Sequence, residues 1–229
     1  MDIGNLIGLI MLVAVLCLSW RRYRRYQQQQ QQKLIAEYRF HPAIMRKVQQ
    51  RYPHLDAGDL VMVEEALRDY FRMCLRGGRQ AVAMPSQVVD VAWHEFILFT
   101  RAYQAFCQQA LKRFLHHTPT EAMLSRRTAQ GAIKRAWRLA CAIQNQHPAI
   151  STPMPLIFAI DERLNIEDGF RYYPNCDQRP GNDGYCTSHI GCSSGCSGDS
   201  WHNDNDRGNS WWNNDSSSDG GDSGGCGGD

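Results

Sequence analysis

Apolar positions change their spacing along this chain. From Ile3 to Trp20 they run almost unbroken, IGNLIGLIMLVAVLCLSW, with no charge and with Asn5 as the only strongly polar side chain. A helix over this run reaches roughly 27 Å at a rise of about 1.5 Å per residue, the thickness of a hydrocarbon core. From Leu34 to Tyr173 the apolar positions recur at helical spacing, as expected for helices that bury one face. Beyond Asn175, Gly, Ser, Asn and Asp take over, a composition that cannot bury enough apolar surface to offset its conformational entropy.

The helices of the middle stretch are marked at their ends. Pro42 suits a first helical position, and Pro53 stops the helix that reaches about Arg51. Asp56 is placed as the cap of the next helix, with Asp59 in its acidic first turn and Leu55 and Leu60 as a staple around it. In that helix Leu60, Val63, Leu67, Tyr70, Phe71 and Cys74 share a face, and Gly77-Gly78 closes it. The opposite face, with Glu64, Glu65, Arg68, Asp69 and Arg72, reads as solvated surface.

Ser86 caps a helix from Gln87 that extends to Cys107 or beyond, with a break near Thr100-Arg101. Thr118-Pro119-Thr120-Glu121 is another start signal. Ile133, Trp137, Ala140 and Cys141 make an amphipathic helix ended by His147-Pro148. Leu156 to Ile160 reads as a last helix, with a buried strand as the alternative, and Gly169 to Pro174 as an exit loop whose aromatics clip the chain back onto the domain. No period of 20 to 50 residues recurs, which excludes a solenoid.

The expected fold class is therefore all-α: a single-pass transmembrane helix, a compact domain of about five helices and a disordered tail. The boundaries are an anchor at 1–20, a basic and Gln-rich linker at 21–33, the helical domain at 34–174 and the tail at 175–229.

Charge adds direction to this scheme. The net charge is +2, yet the tail from Asn175 holds nine Asp, no Glu and two Arg, so it carries −7 and the rest of the chain +9. Trp20-Arg21-Arg22-Tyr23-Arg24-Arg25-Tyr26 follows the apolar run, whereas a cleaved signal peptide carries its positive charge before that run and a small-residue cleavage site after it. Basic residues on this flank place it on the cytoplasmic side, with the N-terminus outside, as in a bacterial inner membrane. Four of the nine cysteines, Cys17, Cys74, Cys107 and Cys141, lie singly in apolar helical patterns and read as small buried hydrophobes. In a reducing compartment structural disulfides are not expected.

Candidate chemistry concentrates between Pro85 and Pro119. Asp90 and His94 are four residues apart, hence on one helical face, with Trp93 beside them as a shield from water. Together with Cys107 they form the expected cluster, read as a buried polar clasp between helices. Its functional alternative makes His94 a metal ligand or general base, with Cys107, His116 or His117 brought in by helix packing. His94-Glu95 is not a zinc-protease motif, because Leu98 stands where the second histidine is required. No nucleophile elbow, phosphate loop or dinucleotide fingerprint is present. In the tail, Cys186, His189, Cys192 and Cys196, with His202 near, offer soft ligands at short spacings that zinc could gather.

Pro85-Ser86-Gln87-Val88-Val89-Asp90, Trp93-His94, Tyr103 and Cys107 together resemble the signature of the glycine-rich-domain protein family of plants and its shorter bacterial relatives. The resemblance runs from about Leu55 to Tyr173 and extends in style to the Gly- and Cys-rich ending. It implies a helical domain and no particular reaction. Plant members carry a second histidine two residues after the first, where this chain has Phe96.

The expected role is that of a non-enzymatic interaction or scaffold protein without a cofactor. Its partners are the membrane, through the N-terminal helix, and another protein; nucleic acid is not expected. The alternative is a metal-binding sensor or metal-dependent enzyme centred on Asp90 and His94, with zinc as the cofactor.

Overall fold

The computed structural model describes residues 3–117, 126–146, 153–173 and 185–186, with side chains described from Ile7 and from Gly131 in the first and second of these ranges and not at 185–186. The start signal at Thr118 to Glu121 and nearly all of the tail lie outside them. The described chain is mostly helical: α1 (Ile3–Glu37), α2 (Pro42–Arg51), α3 (Ala57–Gly77), α4 (Gln87–Leu98), α5 (Thr100–Phe106), a π-helical turn (Cys107–Leu111), α6 (Arg126–Ile143) and α7 (Leu156–Arg163). The all-α expectation holds. A two-residue strand, β1 (Tyr172–Tyr173), pairs in parallel with β2 (Tyr185–Cys186), so this dipeptide of the tail has a fixed partner.

The apolar run and the basic, Gln-rich stretch after it form one helix. α1 runs without a break for 35 residues, through the arginines and the glutamines. Its apolar residues from Ile7 to Leu18 are half or more exposed on every side of the helix. Among the described residues, no helix is long and apolar enough to cross a membrane. The far end of α1 turns into the domain: Ile35 is completely buried, and the Gln31 amide donates to the Ala110 carbonyl at 2.8 Å. Ala110 lies in the π-helical turn, whose last carbonyls have no helical successor because Lys112 leaves the helix with φ +56°. A buried acceptor of this kind costs about 1–3 kcal/mol when unpaired, which accounts for a glutamine in an apolar contact.

α3 is the hub. It packs against α1, α2, α4, α6, α7 and the π-helical turn. Its N-terminus is closed by a capping box, with the Asp59 N–H donating to Asp56 Oδ1 at 2.8 Å and the Asp56 N–H to Asp59 Oδ2 at 3.0 Å. Its buried face carries Phe71, which meets Phe106 at 4.7 Å, in an aromatic cluster completed by Phe40, Phe96 and Tyr38. The charged face of α3 is not simply solvated surface, as the pattern alone implied. The Arg68 side chain is only 14% exposed; it pairs with Glu64 and Glu65, donates to the Tyr38 carbonyl at 3.0 Å and lies over the Phe40 ring. The reason is that the segment joining α1 to α2 crosses this face and turns ion pairs into an inner layer.

α4 begins where a buried carboxylate waits for it. Asp161, on α7 and 2% exposed, accepts from the Ser86 hydroxyl at 2.7 Å, the Gln87 N–H at 2.7 Å and the Val88 N–H at 3.2 Å. The Phe170 N–H adds a fourth bond at 2.9 Å. Ser86 in turn accepts from the Val89 N–H at 3.3 Å, so the unpaired donors of the first turn of α4 are met by two side chains. Burial pushes the Asp161 carboxyl above its usual range, while the four donors draw it back. Gly169 makes the return to Phe170 possible: a Cβ there would lie 2.7 Å from Asp161 Cβ and 2.9 Å from Ile166 Cβ. Phe158 of α7 packs between Trp137 at 5.0 Å and Tyr172 at 4.9 Å, which clips the exit loop onto the domain as its aromatics suggest.

Removing this carboxylate leaves four donors unpaired. Asp161→Ala should lower the unfolding free energy by at least about 3 kcal/mol in urea titrations. A loss under about 1 kcal/mol would mean that the first turn of α4 is held by something else.

Candidate metal centre

α4 exposes one stripe of its surface. Val88, Val89, Ala92, Trp93 and Phe96 face the core, which leaves Asp90 and His94 one turn apart on the outer side. Because Asp161 fixes the start of α4, it also fixes where these two side chains emerge. The pair is not the buried clasp that the apolar surroundings implied: the side chain of His94 is 54% exposed and that of Asp90 28%. Their closest approach, His94 Nε2 to Asp90 Oδ2, is 3.7 Å, too long for a hydrogen bond.

His117 completes the group. Its Nε2 lies 3.2 Å from Asp90 Oδ1 and 2.9 Å from His94 Nε2. The ring centroids of the two imidazoles are 4.0 Å apart and the rings are nearly perpendicular. One ligand atom from each of Asp90, His94 and His117 lies within 4.8 Å of the other two. Among the described residues this trio brings together the ligand types a metal uses. His117 arrives on the segment that follows the π-helical turn, not on a packed helix.

Proton bookkeeping shows why the arrangement suits a cation. A carboxylate only accepts, and a neutral imidazole carries one hydrogen on one of its two nitrogens. With both imidazoles neutral, a hydrogen on His117 Nε2 would face two acceptors, Asp90 Oδ1 and His94 Nε2, and a hydrogen on His94 Nε2 alone would leave Asp90 Oδ1 without a donor. A divalent ion at the centre would satisfy all three lone pairs at once. Two imidazoles and a carboxylate suit zinc, iron, cobalt or nickel rather than magnesium or calcium, and they leave coordination positions for water or a substrate.

Trp93 is placed differently from a shield over Asp90 and His94. Its ring packs on His117 at 4.7 Å and on Tyr70 at 4.9 Å, while its Nε1–H donates to the Tyr103 hydroxyl at 3.1 Å. Cys107 does not join the trio. It is completely buried at the start of the π-helical turn, and its thiol is pushed up by burial, with the Leu115 backbone and Tyr103 as hydrogen-bond partners. Phe96 is 1% exposed and inside the aromatic cluster. A side chain at that position points away from Asp90, His94 and His117. Of the tail ligands, Cys186 enters the described residues only as strand backbone, and His189, Cys192 and Cys196 lie outside them.

The sequence offered His117 only as one of three partners for His94, beside Cys107 and His116, and it left Asp161 without a role. A carboxylate directly after the apolar run of α7 was the available signal for Asp161.

Fold and site together define an all-helical domain with two histidines and an aspartate converging on its surface. The chain belongs to the UCP032817-like family, whose model matches residues 30–192. That range leaves out the apolar run of α1 and takes in the whole domain with the first part of the tail. No curated protein and no solved structure matches the chain.

Thiol chemistry gives a check on these placements. Cys74, fully buried, has its pKa pushed up to about 12, and Cys107 and Cys141 are equally enclosed. In the native protein at pH 8 none of the three should be alkylated on the timescale of an exposed thiol, and all should react in denaturant. Fast native labelling of Cys107 would contradict its position.

Proposed function

We propose that this protein is a membrane-tethered metal-binding domain, in which Asp90, His94 and His117 hold a borderline divalent ion such as zinc or iron. The observation that carries this reading is the convergence of two Nε2 atoms 2.9 Å apart with a carboxylate oxygen 3.2 Å from one of them. With open coordination positions, such an ion either senses metal supply or acts on a substrate that reaches the surface. The first expectation, a scaffold without metal, is the second reading. It is favoured by the exposure of the site, since the His94 side chain is more than half exposed.

The tether rests on α1. A helix exposing Leu9, Ile10, Met11, Leu12 and Val13 in succession has apolar side chains on every face, and water is a poor surrounding for it. Trp20, Tyr23 and Tyr26 and the four arginines Arg21, Arg22, Arg24 and Arg25 then suit the interface on the cytoplasmic side, with the N-terminus outside. Relationship to the glycine-rich-domain proteins is part of the same proposal, supported by Pro85–Asp90 and Trp93-His94, residues that start α4 and build the site.

Two measurements test this. The full-length protein in detergent should bind one Co²⁺ or Zn²⁺ in a way that His94→Ala or His117→Ala weakens at least about 100-fold. Equal affinity in wild type and His117→Ala would sink the metal reading and leave the scaffold. For the tether, the full chain should stay with membranes after carbonate extraction, and a chain lacking residues 1–20 should not; release of both would refute it.

A further inference from the structure

One buried hydroxyl joins the two arms that bring the histidines together. Tyr103, on α5 and 1% exposed, accepts from Trp93 Nε1–H at 3.1 Å and donates to the Leu115 carbonyl. Trp93 directly precedes His94, and Leu115 lies two residues before His117. The Trp93 ring also packs on His117. The segment from Lys112 to His117 is not helical, so its course is set by such pins. The Leu115 backbone bonds Cys107, and Arg113 reaches the Cys74 carbonyl at 3.4 Å. The Tyr103 hydroxyl hydrogen-bonds to both sides of the site at once.

We propose that Tyr103 is a positioning residue for the metal centre, setting the approach of His117 to His94 and Asp90 through its hydroxyl. The proposal rests on the metal reading above. Without the hydroxyl, Trp93 Nε1–H and the Leu115 carbonyl are both buried and unpaired, and relief comes from moving the segment that carries His117. Partners of this kind, one step behind the ligands, typically change metal affinity about 10–100-fold when removed.

Co²⁺ titration of the full-length protein in detergent, followed by its visible absorption, tests the idea. The His94→Ala/His117→Ala double variant supplies the background from the tail cysteines. Tyr103→Phe keeps the ring and removes only the hydroxyl. It should bind Co²⁺ about 10–100-fold more weakly and show weaker d–d bands, as an imidazole gives way to water. Tyr52→Phe, which loses a 2.9 Å bond to Asp168, controls for general loss of stability and should match wild type. Wild-type affinity and spectrum in Tyr103→Phe would overturn the positioning role and leave the metal site standing. No Co²⁺ signal in wild type above the double variant would overturn both. If Tyr103→Phe fails to melt cooperatively, Trp93→Phe, which removes the donor to the same hydroxyl, decides by the same two readouts.

Discussion

The burial of Asp161 is the constraint on which the arrangement of this domain depends. A carboxylate removed from water must be given donors, and here they are the first N–H groups of α4, the hydroxyl that caps it and the N–H of a loop that follows α7. The Ser86 hydroxyl and the α4 N–H groups belong to one segment, Phe170 to a second and the carboxylate itself to α7, so satisfying one oxygen pair fixes three segments relative to one another. The negative charge sits at the end of the α4 dipole that favours it. An apolar residue at the same position would fill the space but leave the start of α4 without a mark.

That constraint reaches the surface through the geometry of a short helix. Once the first turn of α4 is set, the direction of every later side chain follows from the helical period. Trp93 and Phe96 go inward, and Asp90 and His94 go outward. The second half of the site is organised by other means, because the chain from Lys112 to His117 has no regular structure and takes its path from bonds to Tyr103, Cys107 and Cys74. Rigid and irregular backbone thus meet at two imidazoles. Cys107 contributes as a buried anchor of that path and not as a reactive thiol.

Sequence was informative wherever the physics is local. Pro42, Asp56, Ser86 and the Gly77-Gly78 pair mark helix ends because capping involves residues within one turn, and the helices begin or end there. Periodicity located the face of α3 that holds Phe71, and the helical spacing of Asp90 and His94 was correct even though their burial was not. What escaped was set by distant partners. Asp161 finds three of its four donors about 75 residues earlier in the chain. The π-helical turn has no composition that announces it, and the choice of His117 over His116 depends on where an irregular segment is pinned. Arg68 looked like surface because nothing in its own helix reveals that Tyr38 and Phe40 cross over it.

The unbroken course of α1 has a mechanical meaning. Since Gln31 and Ile35 are locked to the domain and no joint interrupts the helix from Ile3 to Glu37, its apolar end and the domain share one rotational phase. Inserting a single residue among Gln27 to Gln30 would turn one end against the other by about 100° and lengthen the axis by about 1.5 Å. The glutamine run therefore acts as a gauge, not as slack cord: its residue count determines which way the stripe with Asp90 and His94 faces relative to whatever holds the apolar end.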